Sequence, residues 1–276
     1  MRGFVITILS IAIVMMLILL AVSFRNVEVS TERALIEPLP LIYAAYLLDD
    51  IGYEFHSIIG PGMSMNQSND SMKITIADTL HDRNHSAEIL AYEEFLTGEV
   101  ASRTASNIST DFTNLTSGEI KLFINEDYVY SNDHDDRALL FTRQGGTGAS
   151  SYDVHFIITA VRSNVTHMAF DENGTLNVTI HYTDLNGTGV EQGKVFADQA
   201  NSFKVDYADG SSMIVTAGQA AGNNGSLKME AGGINADVSW SAVLPPIDPE
   251  KKMGYEYDAT ITYLQGKVSK HSRIGK

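Results

Sequence analysis

There is no cysteine anywhere in the 276 residues. That excludes disulfide scaffolds, thiolate zinc sites and cysteine nucleophiles. An exported chain of this kind must be held together by its core, by ions or by assembly. Positive charge is also scarce. Nineteen Lys and Arg stand against 34 Asp and Glu, for a net charge of −15. Such a field repels nucleic acid and anionic membrane surfaces. Tryptophan occurs once, at Trp240, and proline only six times. The chain has no Gly-x-Ser-x-Gly, no Walker loop, no His-Glu-x-x-His and no Gly-x-Gly-x-x-Gly. Nothing therefore points to an enzyme. No repeat of fixed period is present. Long apolar runs are as rare as the rest, with one exception.

That exception is Phe4 to Phe24, uncharged and with only Thr7, Ser10 and Ser23 polar. Twenty-one helical residues span about 31 Å, close to the ~30 Å hydrocarbon core of a bilayer. Fourteen of them are Ile, Leu, Val or Phe. Together these contribute on the order of −4 to −8 kcal/mol to insertion. Three readings compete. One is a retained transmembrane helix over residues 1–25, which makes the lipid bilayer a partner. A second is a cleaved secretory signal, with Ala21-Val22-Ser23 placing small residues at the cleavage site and Arg2 as a minimal basic region. However, the run is longer than a usual signal core of about 7–15 residues. The third starts from Met1-Arg2-Gly3, a basic residue and a glycine directly before the apolar run.

That junction resembles the class III signal of archaeal type IV pilins and pilin-like proteins. The resemblance covers about the first 60 residues. It implies cleavage after Gly3, an apolar helix retained on the mature protein, and pilin-like or other surface subunits as partners. Ile8 stands where pilins often carry a glutamate.

Removing Arg2 and Arg25 from the charge count leaves the remainder at −17. Arg2 lies on one side of the run, and Arg25 and Arg33 on the other, so basic residues barely choose an orientation. Sequons choose better. Asn-x-Ser/Thr occurs ten times: at Asn66, Asn69, Asn84, Asn107, Asn114, Asn164, Asn173, Asn177, Asn186 and Asn224. With 16 Asn and 44 Ser plus Thr, random placement gives about 2.6. The excess is expected of a glycosylated, extracellular body. The plainer explanation is that Asn and Ser/Thr share polar turns.

Behind the run, Leu35, Leu39, Ile42, Tyr46, Ile51 and Phe55 recur at helical spacing. The expectation is a helical stalk over 26–60, kinked near Pro38 and Pro40 and stopped by Gly60-Pro61-Gly62. Residues 63–71 read as a polar linker. Ser86 to Arg103 reads as a second helix. From Met72, and again from Asn107, runs such as Leu176–Tyr182 and Ile234–Leu244 alternate in strand fashion. Asn173-Gly174, Asp209-Gly210 and Gly232-Gly233 supply hairpin turns. The expected fold is mainly β with N-terminal helices. A single transmembrane helix and helical stalk carry an antiparallel β-sandwich-like ectodomain over 61–276. The basic tail from Lys267 reads as a solvated end.

Calcium is the ion these loops suit, through hard oxygens on turns. Asp184-Leu185-Asn186-Gly187-Thr188-Gly189 matches the first half of an EF-hand loop, nominating Asp184 and Asn186. Its twelfth position is Val195, so the closing acid is missing. Asn132-Asp133-His134-Asp135-Asp136 nominates Asp133, Asp135 and Asp136, and Asp171-Glu172-Asn173-Gly174 is a third acidic turn. Acidic turn residues are also the commonest way to write a soluble loop. His81 and His85, with Glu88 near, are four apart, the spacing of a transition-metal pair on a helix, but they precede the predicted helix and read more simply as unrelated surface histidines. His155, His167 and His181 fall within strands and read as sheet-face residues. Trp240 with Tyr255, Tyr257 and Tyr263 reads either as a sugar-binding face or as sheet packing, the commoner case. The expected function is a membrane-anchored cell-surface structural or adhesive protein, pilin-like and located at the cell membrane with its C-terminal domain outside. The alternative is a tethered binding module for sugar, peptide or calcium.

Overall fold

Strands form wherever apolar residues fall on every second position. Leu176, Val178, Ile180 and Tyr182 are buried, while Asn177, Thr179, His181 and Thr183 between them face outward. The structure is a computed structural model. It describes residues 38–80, 85–116, 119–124, 128–133, 137–143, 148–220, 222–246, 254–265 and 268–275. After helix α1 (Pro38–Ile59) come β1 (Gly62–Gln67) and β2 (Met72–Leu80). Helix α2 (Ser86–Phe95) continues through a π-turn at Leu96–Val100 into α3 (Ala101–Thr104). Then follow β3 (Asn107–Asp111), the short α4 (Thr113–Thr116), β4 (Glu119–Ile124), β5 (Tyr128–Asp133) and β6 (Ala138–Arg143). The second half is all strand. It comprises β7 (Ser151–Ile157), β8 (Arg162–Thr166), β9 (Leu176–Asp184), β10 (Gly187–Val195) and β11 (Ala200–Tyr207). Five more follow: β12 (Ser212–Gly218), β13 (Ser226–Gly232), β14 (Ala236–Leu244), β15 (Tyr255–Gln265) and β16 (Val268–Gly275).

These strands make two sheets. The six-stranded sheet runs β1-β2-β14-β7-β9-β10. The ten-stranded sheet runs β16-β15-β4-β5-β6-β13-β12-β11-β8, with β3 also paired to β15. Aromatic rings join the two sheets face to face. Trp240 meets Tyr130 and Phe141 across the gap, and Phe203 meets Phe156 and Tyr182. One apolar core follows from this packing, with Trp240, Tyr130, Tyr152, Phe156 and Phe203 each at most 2 % exposed. Tyr255, Tyr257 and Tyr263 are buried too, so the aromatic residues nominated for sugar binding are sheet packing.

The β-sandwich-like body therefore matches expectation, but the helical part does not. The segment read as a transmembrane helix, residues 1–25, lies outside the described residues. Among the described residues no helix is long and apolar enough to cross a membrane. The stalk over 26–60 is overturned over its described part. Pro38 and Pro40 open α1 rather than kink it, because first-turn N–H groups have no intrahelical partner to lose. The buried stripe is Ala44, Leu48, Ile51, Phe55 and Ile59, while Ile42 and Tyr46 are exposed. This face lies on β15 and β16, with the Phe55 ring edge-on to Tyr257 at 5.2 Å. The approach is close enough that a Cβ on Gly52 would stand 2.8 Å from the Gly275 carbonyl oxygen. A helix seated so tightly is part of the body. The tail is equally ordered: β16 pairs with β15 and buries Ile274, so the basic end is an edge strand. Residues 63–67 of the supposed linker belong to edge strand β1.

Among the described residues, all strand pairs are antiparallel except one. β7 and β9 run parallel and adjacent. Parallel neighbours need a crossover connection, and here the chain crosses to the other sheet, where β8 pairs with β11.

Candidate functional site

The parallel pair sets the geometry of the molecule's most distinctive side-chain group. On β7, Asp153 and His155 are two residues apart and share the outer face. Parallel pairing sets His155 directly beside His181 of β9. The two imidazoles stack, with centroids 4.1 Å apart and planes 7° off parallel. Asp153 Oδ1 lies 3.1 Å from His155 Nε2 and 3.3 Å from His181 Nε2. All three donor atoms fall within 4.8 Å of one another. Asp153 Oδ1 is itself shielded from water yet accepts no hydrogen bond, because neither ring N–H is in line with it. The side chains are only half-exposed, at 47 % for Asp153, 48 % for His155 and 32 % for His181. One carboxylate and two imidazoles on a hydrogen-bonded sheet can bind a cation, share a proton or anchor a polar ligand.

Two depressions border this group. A groove of about 340 Å³ is lined by Ala77, Thr79, His155, Ile157, Asp237 and Ser239. Beside it, a wider one of about 580 Å³ involves Arg137, Thr159, Ile234 and Asn235 and shares Ile157 and Asp237. The smaller one opens on the outer surface of the six-stranded sheet, and the wider one lies where the link from β13 to β14 passes Arg137.

Of the acids nominated for calcium, the two described ones, Asp133 and Asp184, lie in different sheets. Asp184 ends β9, with its carboxylate fully buried and Arg162 Nε 3.5 Å away. Its Oδ1 accepts the Asn186 backbone N–H at 2.8 Å, and the Asn186 amide donates to the Arg162 carbonyl at 2.9 Å. Both residues take part in closing the β9–β10 hairpin beside Arg162. Asp133 ends β5 in the other sheet, while Asp135 and Asp136 lie outside the described residues. Their neighbour Asn132 is buried and donates to Asp78 Oδ2 at 3.0 Å. Asp78 occupies an inward position of β2 and also accepts the Tyr130 hydroxyl proton. Burial first, then this carboxylate, pushes the Tyr130 hydroxyl well above its ordinary range. Asp171 caps its own turn, accepting the Asn173 N–H at 2.8 Å. His85 sits 2.6 Å from Glu88, and His81 is outside the described residues.

Nine of the ten sequon asparagines are described, and all nine are exposed: Asn66, Asn69, Asn107, Asn114, Asn164, Asn173, Asn177, Asn186 and Asn224. They spread over edge strands β1 and β8, the start of β3, the short helix α4, the outer face of β9, and turns of both sheets. Asn132, which carries no sequon, is buried.

Sequence reasoning placed His155 and His181 on sheet faces but did not join them. The one local signal was Asp153-x-His155, a same-face pair at strand spacing. Their partner stands 26 residues away, across a crossover. No family model, curated protein or solved structure matches this chain.

Proposed function

We propose that this chain is a cell-surface structural or adhesive protein, its β body outside the cell and held at the membrane by the apolar run from Phe4 to Phe24. The observation that carries the reading is the exposure of every described sequon asparagine. A glycan is too bulky to sit on a packed surface, and all nine positions are free of that constraint. The acidic body and the absence of cysteine accord with a solvated, redox-indifferent exterior. The basic-Gly pair at Arg2-Gly3 supports a pilin-like subunit, processed before Phe4.

A second reading, a tethered binding module, is favoured by the two grooves that share Ile157 and Asp237. Mass spectrometry of the protein isolated from its own cells separates these ideas from their contraries. A mature N-terminus at Phe4 and glycans on sequon peptides are the expected results. An N-terminus at Met1 or Phe24 contradicts the pilin-like form, and unmodified sequons throughout contradict the surface reading.

A further inference from the structure

We infer that Asp153, His155 and His181 bind a divalent transition-metal ion of the zinc type. Three observations carry this. The first is spacing. Zinc bonds nitrogen at about 2.0–2.1 Å and carboxylate oxygen at about 2.0–2.2 Å, so tetrahedral ligand atoms stand about 3.3–3.5 Å apart. The two O–N separations here, 3.1 and 3.3 Å, are already near that value. The second is the unsatisfied oxygen. Asp153 Oδ1 is out of contact with water and accepts no hydrogen bond, a state that a bound cation relieves. The third is the surroundings. The same-face neighbours in register are Ser241 beside Asp153, Ser239 beside His155 and Val190 beside His181. None carries a charge, and among the described residues no Lys or Arg pairs with Asp153. Among the described residues, the carboxylate's only ion-pair partners are the two imidazoles.

The stack is the metal-free arrangement. Two rings lying 7° from parallel send their Nε2 lone pairs side by side, so one ion cannot lie along both. Loading turns the rings about the Cβ–Cγ bond, a broad torsion for histidine. Their half-exposed positions leave room for this, while the strands hold the Cα positions fixed. Two imidazoles favour zinc, copper or nickel over calcium, which prefers six to eight oxygens. Three protein ligands leave a coordination position for water, as in zinc sites that are not closed structural ones. Because His155 also lines the 340 Å³ groove, a ligand seated there lies next to the ion.

The test is calorimetric titration of the chelator-treated full-length protein in detergent, using zinc chloride, with His155→Ala, His181→Ala and Asp153→Asn beside it. One saturable site per chain is expected, weakened at least about tenfold by each substitution, since even outer-shell changes cost 10–100-fold. Cobalt(II) added to the wild type is expected to give the visible bands of a low-symmetry, four- or five-coordinate ion, absent from His181→Ala. His167→Ala, which removes an unrelated surface imidazole paired with Glu191, is expected to change nothing. Absence of a saturable site in the wild type overturns the inference. So does equal affinity in the three variants when their circular dichroism matches the wild type.

Discussion

The two faces of the β7–β9 pair carry the same backbone and opposite chemistry. Inward, Val154, Phe156, Ile180 and Tyr182 are closed into the core. Outward, one residue along from each, stand Asp153, His155, Thr179 and His181. On a strand, a shift of one residue changes the face, so adjacent positions answer to different demands. The inner face is under packing constraint, where a lost methylene is felt. The outer face is under little, so a cluster of ionisable groups there is not explained by folding. The difference separates what the sheet needs in order to exist from what it carries.

The comparison breaks first at Trp240. It is 1 % exposed and touches Tyr130, Phe141 and Tyr152. Trp240→Ala is expected to cost about 3–5 kcal/mol, read as a drop in urea midpoint; a loss under 1 kcal/mol would mean the two sheets do not share this core. Ile180, beside His181 in sequence and fully buried, comes next. Ile180→Ala is expected to cost about 2–5 kcal/mol by the same assay.

Alkali sharpens the contrast from another side. Burial raises the hydroxyls of Tyr130 and Tyr152 well above their ordinary value near 10. A raised pKa means that the unfolded chain gives up its protons first. The stability these tyrosines contribute is therefore whole below about pH 10 and lost as pH climbs above it. Each is expected to cost about 1.4 kcal/mol per pH unit, measured as unfolding free energy between pH 9 and 12. A flat profile over that range would contradict the burial. Smallest of all is the outer face: His181→Ala is expected to stay within about 0.5 kcal/mol of wild type.

Much of the body was legible in the sequence because its signals are local. Leu176–Tyr182 alternates strictly and forms β9. Ser86 to Arg103 reads as a helix and is one, continued through a π-turn over Leu96–Val100. Asp209-Gly210 makes its turn, with Gly210 at φ +87°. Among the missed strands, β10 and β16 are two whose partners write the pattern. β10, Gly187–Val195, reads Gly-Thr-Gly-Val-Glu-Gln-Gly-Lys-Val, nearly without apolar residues, and is held by pairing along all of β9. β16 looked like a charged tail because pairing with β15, not composition, orders it. Asp184 resembled an ion ligand because spacing shows oxygens but not the arginine that comes to meet them from β8. The histidine pair was invisible for the same reason: a parallel register across a crossover leaves no mark at either residue.

The most direct measurement puts the two faces on one axis: the urea midpoint with and without excess zinc, for wild type and for His181→Ala. A ligand that binds only the folded state raises stability by mass action. The wild-type midpoint is expected to rise with zinc, and that of His181→Ala, equal to wild type without metal, to stay where it was. A variant that loses stability without metal, or a zinc shift that survives the substitution, would contradict the division between a face that folds the sheet and a face that binds.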